Sequence, residues 1–365
     1  MTTLLPPPPR PRPSARPSLS RVRPRKPHAA WLYRLSWVNL TGVLAVWAFV
    51  AGLSEDWWIS TALVYLPRSP YLLPSLVLAP WCWRQCRQAV WINAVAAVIV
   101  LGPLMGLELN VRGLPFVRPD SPGKNPFCVV SCNVQGFVPR FGVVLQELAT
   151  ARPAVVAFQE YHADEPLLAA WFRDWQWADS GEFFVAARHP VRLIAVCESV
   201  AFDRPTVAVF EIDDPAGRFR VFNVHQTSPR HSLTNLKVHS LVTDAGESTV
   251  ARQAVLRQEE SLLTRSFVDD YAAGLPYVVV GDFNMPTDSS LFRTAWGDLT
   301  ETFQAAGLGY GYTSPCKSRN LWPVNTPWAR VDHILTSPAW DVRRAWIGRH
   351  DGSDHRLIAA IIDSH

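Results

Sequence analysis

The stretch VVVGDFN, residues 278–284, decides how this chain is expected to fold. Three consecutive valines are typical of a buried strand, and a glycine, an acid and an amide follow directly at its end. Glycine lets the backbone approach a ligand closely. Asp282 and Asn284 are two residues apart, so both side chains are able to face one pocket. We therefore expect a buried strand that ends in a polar site.

Strand-like and helix-like patterns alternate irregularly on either side of this stretch. Besides Tyr277–Gly281, the predicted strands are Cys128–Asn133, Ala154–Phe158, Leu193–Glu198, Thr206–Ile212, Phe219–His225, Val331–Leu335 and Leu357–Ile362. The predicted helices are Phe141–Ala151, Glu165–Trp175 and Val250–Tyr271. Hairpin-like strands mixed with helices favour packed sheets covered by helices over a doubly wound parallel sheet.

Polar residues lie at the ends of these strands and form the candidate site. They are Asn133, Gln159-Glu160, His225, Asp282, Asn284, Asp332-His333 and Ser353-Asp354-His355. Taken alone, each also fits a structural role, such as a turn residue or a hydrogen-bonded core histidine. As an ordered set they favour cleavage of a phosphate ester with a divalent metal. Mg²⁺ binds carboxylate oxygens, and a histidine held by a carboxylate takes a proton from water near neutral pH.

In this order the strings resemble the endonuclease/exonuclease/phosphatase superfamily. The resemblance covers residues 127–365, and its specific part is the GDFN string at 281–284 followed by a late SDH at 353–355. With its apolar N-terminal segments, the chain is similar to the membrane-anchored bacterial members. The resemblance implies a four-layer α/β sandwich, in which two packed mixed β-sheets are flanked by helices and the site lies at the open end of the sheets.

The resemblance also implies a metal site. Glu160 would be the main ligand of Mg²⁺, or of Mn²⁺, with Asn133 beside it and Asp354 assisting. Two positions depart from the family pattern. Gln135 stands where several relatives carry an acid or Asn, and Leu357 stands where Pro commonly follows the Ser-Asp-His-Arg string.

The remaining residues receive catalytic roles from the same resemblance. Asp282 and Asn284 would position water and phosphate. His355 would be the general base, oriented by Asp332. His225 would stabilise charge on the phosphoryl oxygens.

Charge separates a tail from the rest of the chain. Residues 1–34 hold eight of the 35 Arg and Lys and no acid, which leaves 27 basic and 31 acidic residues elsewhere. This Pro- and Arg-rich tail cannot bury enough apolar surface to order itself, and contact with anionic lipid is one open role for it. The acidic balance of the remainder argues against tight non-specific binding to duplex DNA.

Residues 35–109 are expected to form a membrane region with about three transmembrane helices. Leu35–Leu53 and Ala89–Leu107 are uncharged and long enough to cross the hydrocarbon core of about 30 Å. The middle piece, Tyr71–Trp83, either spans in a kinked form or lies in the interface. Arg84 and Arg87 and the basic tail are all cytoplasmic if three spans are present, which places the later domain outside the cytoplasm.

A Pro- and Gly-rich linker is expected over 110–126, followed by one catalytic domain over 127–365. The six cysteines form no CxxC pair and are predicted to be core residues, with a Cys197–Cys316 bridge left open.

The sequence thus predicts a multi-pass membrane protein with an extracytoplasmic phosphoesterase domain. Its expected partners are the bilayer and a phosphate ester, which is a phospholipid headgroup, a nucleotide or nucleic acid; no protein partner is expected. A nuclease and a non-catalytic anchored binding module are the alternatives. Trp322 and Trp328 either contact lipid, stack on a base or are packing residues.

Overall fold

The computed structural model describes residues 29–110, 125–135, 141–162, 166–230, 233, 244–316, 323, 325–349 and 352–364. The helices are α1 (Ala29–Gly52), α2 (Trp58–Tyr65), α3 (Leu73–Gln85), α4 (Arg87–Ile99), α5 (Phe141–Ala151), α6 (Pro166–Trp171), α7 (Asp244–Ala272), α8 (Ser290–Trp296) and α9 (Thr302–Ala306). The strands are β1 (Glu108–Leu109), β2 (Phe127–Asn133), β3 (Val155–Gln159), β4 (Gln176–Ser180), β5 (Phe183–Ala187), β6 (Val191–Ser199), β7 (Arg204–Asp214), β8 (Gly217–His225), β9 (Tyr277–Asp282), β10 (Thr300–Glu301), β11 (Leu308–Gly309), β12 (Asp332–Thr336), β13 (Trp340–Ile347) and β14 (Ile358–Ser364).

Twelve of the strands form two six-stranded sheets. One has the order β10-β12-β9-β8-β7-β6 and the other the order β13-β14-β2-β3-β5-β4. Each sheet contains one parallel pair, β8 with β9 and β2 with β3, while its other pairs are antiparallel. Both sheets are therefore mixed, as expected.

The two sheets pack face to face and each is covered by helices on its outer side. The central layer holds apolar residues of both sheets, such as Val129 and Val155 from one and Phe210 and Val280 from the other. Helices α5 and α6 cover the outer face of the sheet that contains β2, and α7 and α8 cover that of the sheet that contains β9. The expected four-layer sandwich is confirmed. Strands buried on both faces explain why the sequence shows continuous apolar runs here.

Three pieces of the two six-stranded sheets were missed by the sequence patterns: the β4–β5 hairpin, strand β13 and the two-residue strand β10. The hairpin of β4 and β5 turns at Gly181, whose φ is +58°, and neither strand was predicted. Strand β13 was missed because a bulge between Val342 and Arg344 shifts its alternation. The predicted helix Glu165–Trp175 is shorter, and its predicted first residue lies outside the described residues. No disulfide bond is formed among the described residues, which include all six cysteines, so the Cys197–Cys316 bridge is absent.

Helices α1, α3 and α4 pack into what we call the N-terminal bundle. Leu32 near the start of α1 packs with Cys82 and Ala89, on either side of the α3–α4 turn. The end of α1 packs instead with the helical turn Val100–Leu104 that continues α4, through Val50 and Leu104. Helices α1 and α4 therefore run in the same direction, and α3 returns between them.

Within the described part of the chain, two helices are long and apolar enough to cross a membrane, Ala30–Gly52 and Arg87–Leu104. Helix α3 has 13 residues, which corresponds to roughly 20 Å, short of a hydrocarbon core of about 30 Å. Three spans therefore stay a prediction. The tail up to residue 28 and most of the linker, residues 111–124, lie outside the described residues.

Residues 54–65, which we call the junction segment, connect this bundle to the sandwich. Glu55 is hydrogen-bonded to Ser289 and Ser290 at the start of α8. Just beyond the segment, Arg68 forms an ion pair with Asp288. Both contacts fall on the loop that follows β9, so the bundle is attached at the same end of the sandwich at which that strand finishes.

Candidate active site

The fold brings the polar strand ends together at one end of the sandwich. In the parallel pair β8–β9, His225 lies opposite Asp282, and in the antiparallel pair β9–β12, Asp332 lies opposite Asp282. Gly281 is required at this point. Its φ is +141°, and a Cβ atom there would lie 1.9 Å from the backbone oxygen of Val224. The glycine thus allows β8 and β9 to approach closely enough for their last side chains to meet.

Two carboxylates share one amide donor at the centre of this end. Asn133 Nδ2 donates to Glu160 Oε1 at 3.0 Å and to Asp282 Oδ2 at 3.1 Å. The Oδ1 atom of Asn133 accepts a hydrogen bond from the backbone N of Gln135. Asp282 is buried, whereas the Glu160 side chain is 38% exposed. The pair thus joins a buried anion to one that faces solvent.

His355 and Asp332 form a buried hydrogen-bonded pair beside these carboxylates. His355 Nδ1 lies 2.8 Å from Asp332 Oδ2, and its Nε2 atom lies 3.6 Å from Asp282 Oδ2. The hydroxyl of Ser314 is 3.2 Å from Nε2. Because the carboxylate of Asp332 accepts the Nδ1 proton, the Nε2 side of the ring is left to act on other groups.

Burial and neighbouring charges shift the pKa values of this group. Burial alone lowers the pKa of His355, but the carboxylates of Asp332 and Asp282 raise it, and the result is well above its ordinary value. Burial also raises the pKa of Asp282; nearby His355 opposes this shift and the Asp332 carboxylate adds to it. Strongly perturbed acids and bases packed in one place are typical of functional sites.

His225 faces the same carboxylates and has a carboxylate of its own. Its Nε2 atom lies 3.6 Å from Glu160 Oε1. On the other side of the ring, Nδ1 lies 2.8 Å from Glu182 Oε2 and 2.6 Å from Arg204 Nη2. We infer that His225 Nδ1 carries a proton and donates it in a hydrogen bond to Glu182 Oε2. The nitrogen of Arg204 is itself a donor and cannot accept this hydrogen bond. Arg204 Nη2 donates instead to Glu182 Oε1 at 2.9 Å.

Glu182 and Arg204 are site residues that the sequence reasoning missed. Burial raises the pKa of Glu182, but the hydrogen bond and charge of His225 and the charge of Arg204 bring it below its ordinary value. The carboxylate is therefore ionised and fixes the orientation of the His225 ring. Glu182 lies in the β4–β5 turn. The apolar run Phe183–Ala187 directly after it is typical of a strand, so the sequence could have placed Glu182 at the end of a strand.

Asn284 and Asp354 occupy less central positions than the resemblance implied. Asn284 Nδ2 donates to the backbone oxygen of Gln226 at 2.9 Å, and its backbone N donates to Asp282 Oδ1 at 2.9 Å. Asp354 Oδ2 accepts a hydrogen bond from Gln135 Nε2 at 3.0 Å. Asp354 is thus connected to Asn133 through Gln135, at the position where the family pattern is broken.

Comparison with known proteins places this site in a family. The model of the Endonuclease/Exonuclease/phosphatase family matches residues 130–355, more than half of the chain. The chain belongs to this family. Its members are hydrolases that act on phosphate esters. No curated protein matches the chain.

Solved structures of the endonuclease/exonuclease/phosphatase fold align with the sandwich at low identity. One from Bacteroides vulgatus has 15% identity and a TM-score of 0.49, and covers 66% of this chain and 100% of its own. A 3′ phosphatase from Neisseria bound to a product DNA hairpin has 16% identity and a TM-score of 0.48, covering 64% and 98%. A mannosyl-6-phosphatase from Bacteroides thetaiotaomicron has 14% identity and a TM-score of 0.45, covering 65% and 99%.

Enzymes of the endonuclease/exonuclease/phosphatase family generally use divalent metals, and the donors of this site fit one. Asp282, Asp332 and His355 each offer a ligand atom, and the three atoms lie within 4.8 Å of one another. The Oδ1 atom of Asp332 is buried without a hydrogen-bond partner among the described residues. Carboxylate oxygens of this kind suit Mg²⁺ and Mn²⁺.

Proposed function

We propose that the protein is a Mg²⁺-dependent phosphoesterase, able to use Mn²⁺, that cleaves a phosphodiester or phosphomonoester at the extracytoplasmic face of a membrane. The observation that carries the proposal is the meeting of two carboxylate-held histidines with two further carboxylates at one end of the sandwich. His355 is paired with Asp332 and His225 with Glu182. Such a site offers a base, a charge-stabilising group and a place for a cation within one small volume.

In this proposal His355 takes the proton of the attacking water through Nε2. Asp332 holds the ring through Nδ1 and stabilises the imidazolium that forms. His225 donates from Nε2 to a phosphoryl oxygen when both ring nitrogens carry protons, and Glu182 orients the ring through Nδ1. Asn284 keeps the turn after β9 in place for Asp282, which orients the water.

Glu160 and Asp282 would hold the cation, with Asn133 between them and Asp354 linked through Gln135. We assign the ion to these carboxylates because Asn133 Nδ2 holds Glu160 and Asp282 together and Glu160 faces solvent, whereas Asp332 Oδ2 is already engaged by His355 Nδ1. A bound divalent cation neutralises charge on the phosphate and on the surrounding carboxylates. With that charge offset, the neighbouring carboxylates would raise the pKa of His355 less, which would favour its role as a base.

The pattern of burial in the N-terminal bundle supports a membrane location. Its interior contains small and polar residues as well as apolar ones such as Val50 and Leu104: Asn93 is 1% exposed, and its amide donates to Ser36 Oγ at 2.7 Å. Its outer surface is apolar, and Trp91 is 75% exposed. Helices that associate in lipid place small and polar residues between them and apolar residues outside. A water-soluble bundle would carry charged and polar residues on its outer surface instead.

The orientation follows from the basic residues. Arg84 and Arg87 flank the α3–α4 turn, which lies beside the start of α1 and Arg34, at the bundle end opposite the junction segment. Under the positive-inside rule this end is cytoplasmic, and the sandwich is then extracytoplasmic.

Labelling with a membrane-impermeant maleimide tests this orientation. The native Cys86 at the α3–α4 turn should be protected in intact cells, whereas a Val200→Cys site in the sandwich should react, since Val200 is 94% exposed. The other five cysteines are buried. The reverse pattern of labelling would overturn the orientation.

The site lies beside the junction segment, which favours a phosphate ester presented at the bilayer surface. We therefore propose a lipid headgroup as the substrate in preference to a nucleotide or nucleic acid. Trp328 contributes to this arrangement by packing: its indole N donates to the backbone oxygen of Tyr65 at 3.1 Å, in the junction segment. Trp322 lies outside the described residues.

Turnover by the full-length chain in proteoliposomes tests the proposed reaction. Substrates are bis(p-nitrophenyl) phosphate, sphingomyelin, phosphatidylinositol phosphates, DNA and RNA, each with Mg²⁺, with Mn²⁺ and with chelator. Metal-dependent release from the lipids supports the proposed substrate, and release from nucleic acid alone would assign a nuclease. Absence of turnover with every substrate and metal would identify a binding module.

A further inference from the structure

Arg257 is a buried arginine of α7 whose guanidinium uses all three of its nitrogens. It is 2% exposed. Its Nε atom donates to the backbone oxygen of Thr227 at 2.9 Å, and Nη2 donates to the backbone oxygen of Asn284 at 2.8 Å. Nη1 donates to the hydroxyl of Tyr65 at 2.9 Å. Burying this charge is tolerated because each donor has a fixed acceptor.

The first two acceptors lie on the two turns that leave β8 and β9. Thr227 follows His225 by two residues, and Asn284 follows Asp282 by two residues. The turns are also joined directly, since the backbone N of Gln226 donates to the backbone oxygen of Asp282 at 2.9 Å. Arg257 therefore clamps together the backbone segments that carry a proposed phosphate-contacting histidine and the proposed water-orienting acid.

The third acceptor belongs to the junction segment and not to the sandwich. The hydroxyl of Tyr65 donates in turn to Glu55 Oε1 at 2.8 Å. Glu55 also accepts hydrogen bonds from Ser289 Oγ at 2.5 Å and from the backbone N of Ser290 at 2.8 Å. These serines begin α8, a few residues after Asn284. The junction segment thus contacts the turn after β9 from both sides, through Arg257 and through α8.

We propose that Arg257 is a positioning residue and that the junction segment completes the active site through it. The guanidinium is a rigid planar fork, so it fixes the two turns relative to each other only while all three of its acceptors are in place. Loss of the Tyr65 hydroxyl leaves Nη1 without an acceptor and releases one arm of the fork. The catalytic geometry consequently depends on the segment that leads out of the membrane. This inference rests on the proposed function.

Tyr65→Phe and Tyr312→Phe, made in the full-length chain in proteoliposomes, test the link. Each removes one tyrosine hydroxyl from the contact between the N-terminal region and the sandwich, because the Tyr312 hydroxyl donates to the backbone oxygen of Met105 at 2.8 Å. Only the first is joined to Arg257. We expect Tyr65→Phe to lower kcat about tenfold with KM unchanged, since small displacements of catalytic groups cost up to about 10²-fold. Tyr312→Phe should retain the wild-type kcat.

Arg257→Lys and Arg265→Lys form a second matched pair on the same helix. Lysine keeps the charge of Arg257 but cannot reach three acceptors at once, so we expect kcat to fall about 30-fold at constant KM. Arg265 pairs with Asp298 and Asp269 on the outer side of the helix. Its lysine variant should retain activity. The thermal midpoint of each variant is measured in the same preparations.

Several outcomes would contradict the inference. Wild-type kcat in both Tyr65→Phe and Arg257→Lys would overturn it, and so would an equal loss in the paired control. A change in KM alone would assign the junction to substrate binding instead. If Tyr65→Phe fails to fold, Arg257→Lys with its control decides the question. These failures are separate from that of the proposed function, which is tested by His355→Ala in the same assay.

Discussion

The sandwich and the N-terminal bundle differ in where they bury polar residues and in what their outer surfaces expose. Between the two sheets the interior is apolar, with Val155 and Val280 at its centre, and buried polar groups gather at the end where the strands stop. In the bundle the polar side chains of Ser36 and Asn93 are buried and Trp91 faces outward. A buried polar group therefore has a different meaning in each region. In the sandwich it belongs to the proposed active site, and in the bundle it fits the proposed association of helices in lipid.

Removal of the proposed base should have the largest effect on kcat. His355→Ala should lower kcat by about 10³-fold or more, because a general base and the charge balance of the site are lost together. The measurement is Mg²⁺-dependent turnover of bis(p-nitrophenyl) phosphate in proteoliposomes. His189→Ala is the control, since His189 is half-exposed and pairs with Asp214 outside the site. Wild-type turnover in His355→Ala would exclude the assignment.

A smaller loss is expected from the partner of the second histidine. Glu182→Gln keeps the shape of the side chain but removes the charged acceptor that orients His225 through Nδ1. We expect kcat to fall about 10- to 100-fold, less than the loss of an acid–base group itself, because Glu182 acts through His225. Glu198→Gln removes an exposed carboxylate from the nearby strand β6 and should have no effect on kcat. Equal activity of the two variants would show that His225 needs no carboxylate.

The contrast between the two regions also explains what the sequence revealed and what it did not. Strands such as β3 and β9 are buried on both faces, so the sequence shows them as continuous apolar runs. The polar residues that follow these runs, Glu160 and Asp282, could therefore be identified as site candidates. The family resemblance then supplied the four layers. Glu182 was missed because it lies in a hairpin turn, where a charged residue is ordinary.

The link between the bundle and the site was beyond sequence reasoning for a different reason. Arg257 and Tyr65 are 192 positions apart in the chain and meet through tertiary packing. A charged residue in the helical pattern of α7 reads as part of a solvent-exposed face. The spacing of residues within one element carries no information about such a contact. The roles assigned to Asn284 and Asp354 likewise came from motif position, and the hydrogen bonds they make were visible only in the structure.

The third prediction addresses the polar interior of the bundle. Asn93→Ala removes the amide that donates to Ser36 Oγ. It should destabilise the bundle by about 1 kcal/mol, the usual size of a hydrogen bond between helices in lipid, without changing kcat. Thermal unfolding in detergent micelles and turnover are measured together. Val98→Ala, at a position that is 67% exposed, is the control and should change neither. A loss of kcat in Asn93→Ala would mean that the polar residues inside the bundle affect catalysis.

The smallest expected effect concerns the acid that joins the two regions. Burial alone would raise the pKa of Glu55, but hydrogen bonds from Ser289, Ser54 and Ser290 and the charge of Arg257 bring it below its ordinary value. A carboxyl whose pKa is lower in the folded state stabilises the protein above its unfolded pKa, and that stability is lost as the pH falls through the folded pKa. The difference in thermal midpoint between the wild type and Glu55→Gln should therefore be full at neutral pH and should narrow below about pH 4.5.

The thermal midpoint of Asp56→Asn, measured over the same pH range, controls for a general loss of negative charge. This variant removes the exposed carboxylate next in the chain. If the ionised Glu55 holds the junction segment on α8, the narrowing appears for Glu55→Gln and is absent for Asp56→Asn. A difference that stays constant from neutral to acidic pH would mean that the shape of the Glu55 side chain, rather than its charge, holds the junction in place. The N-terminal bundle and the sandwich would then be joined at Glu55 by packing and not by charge.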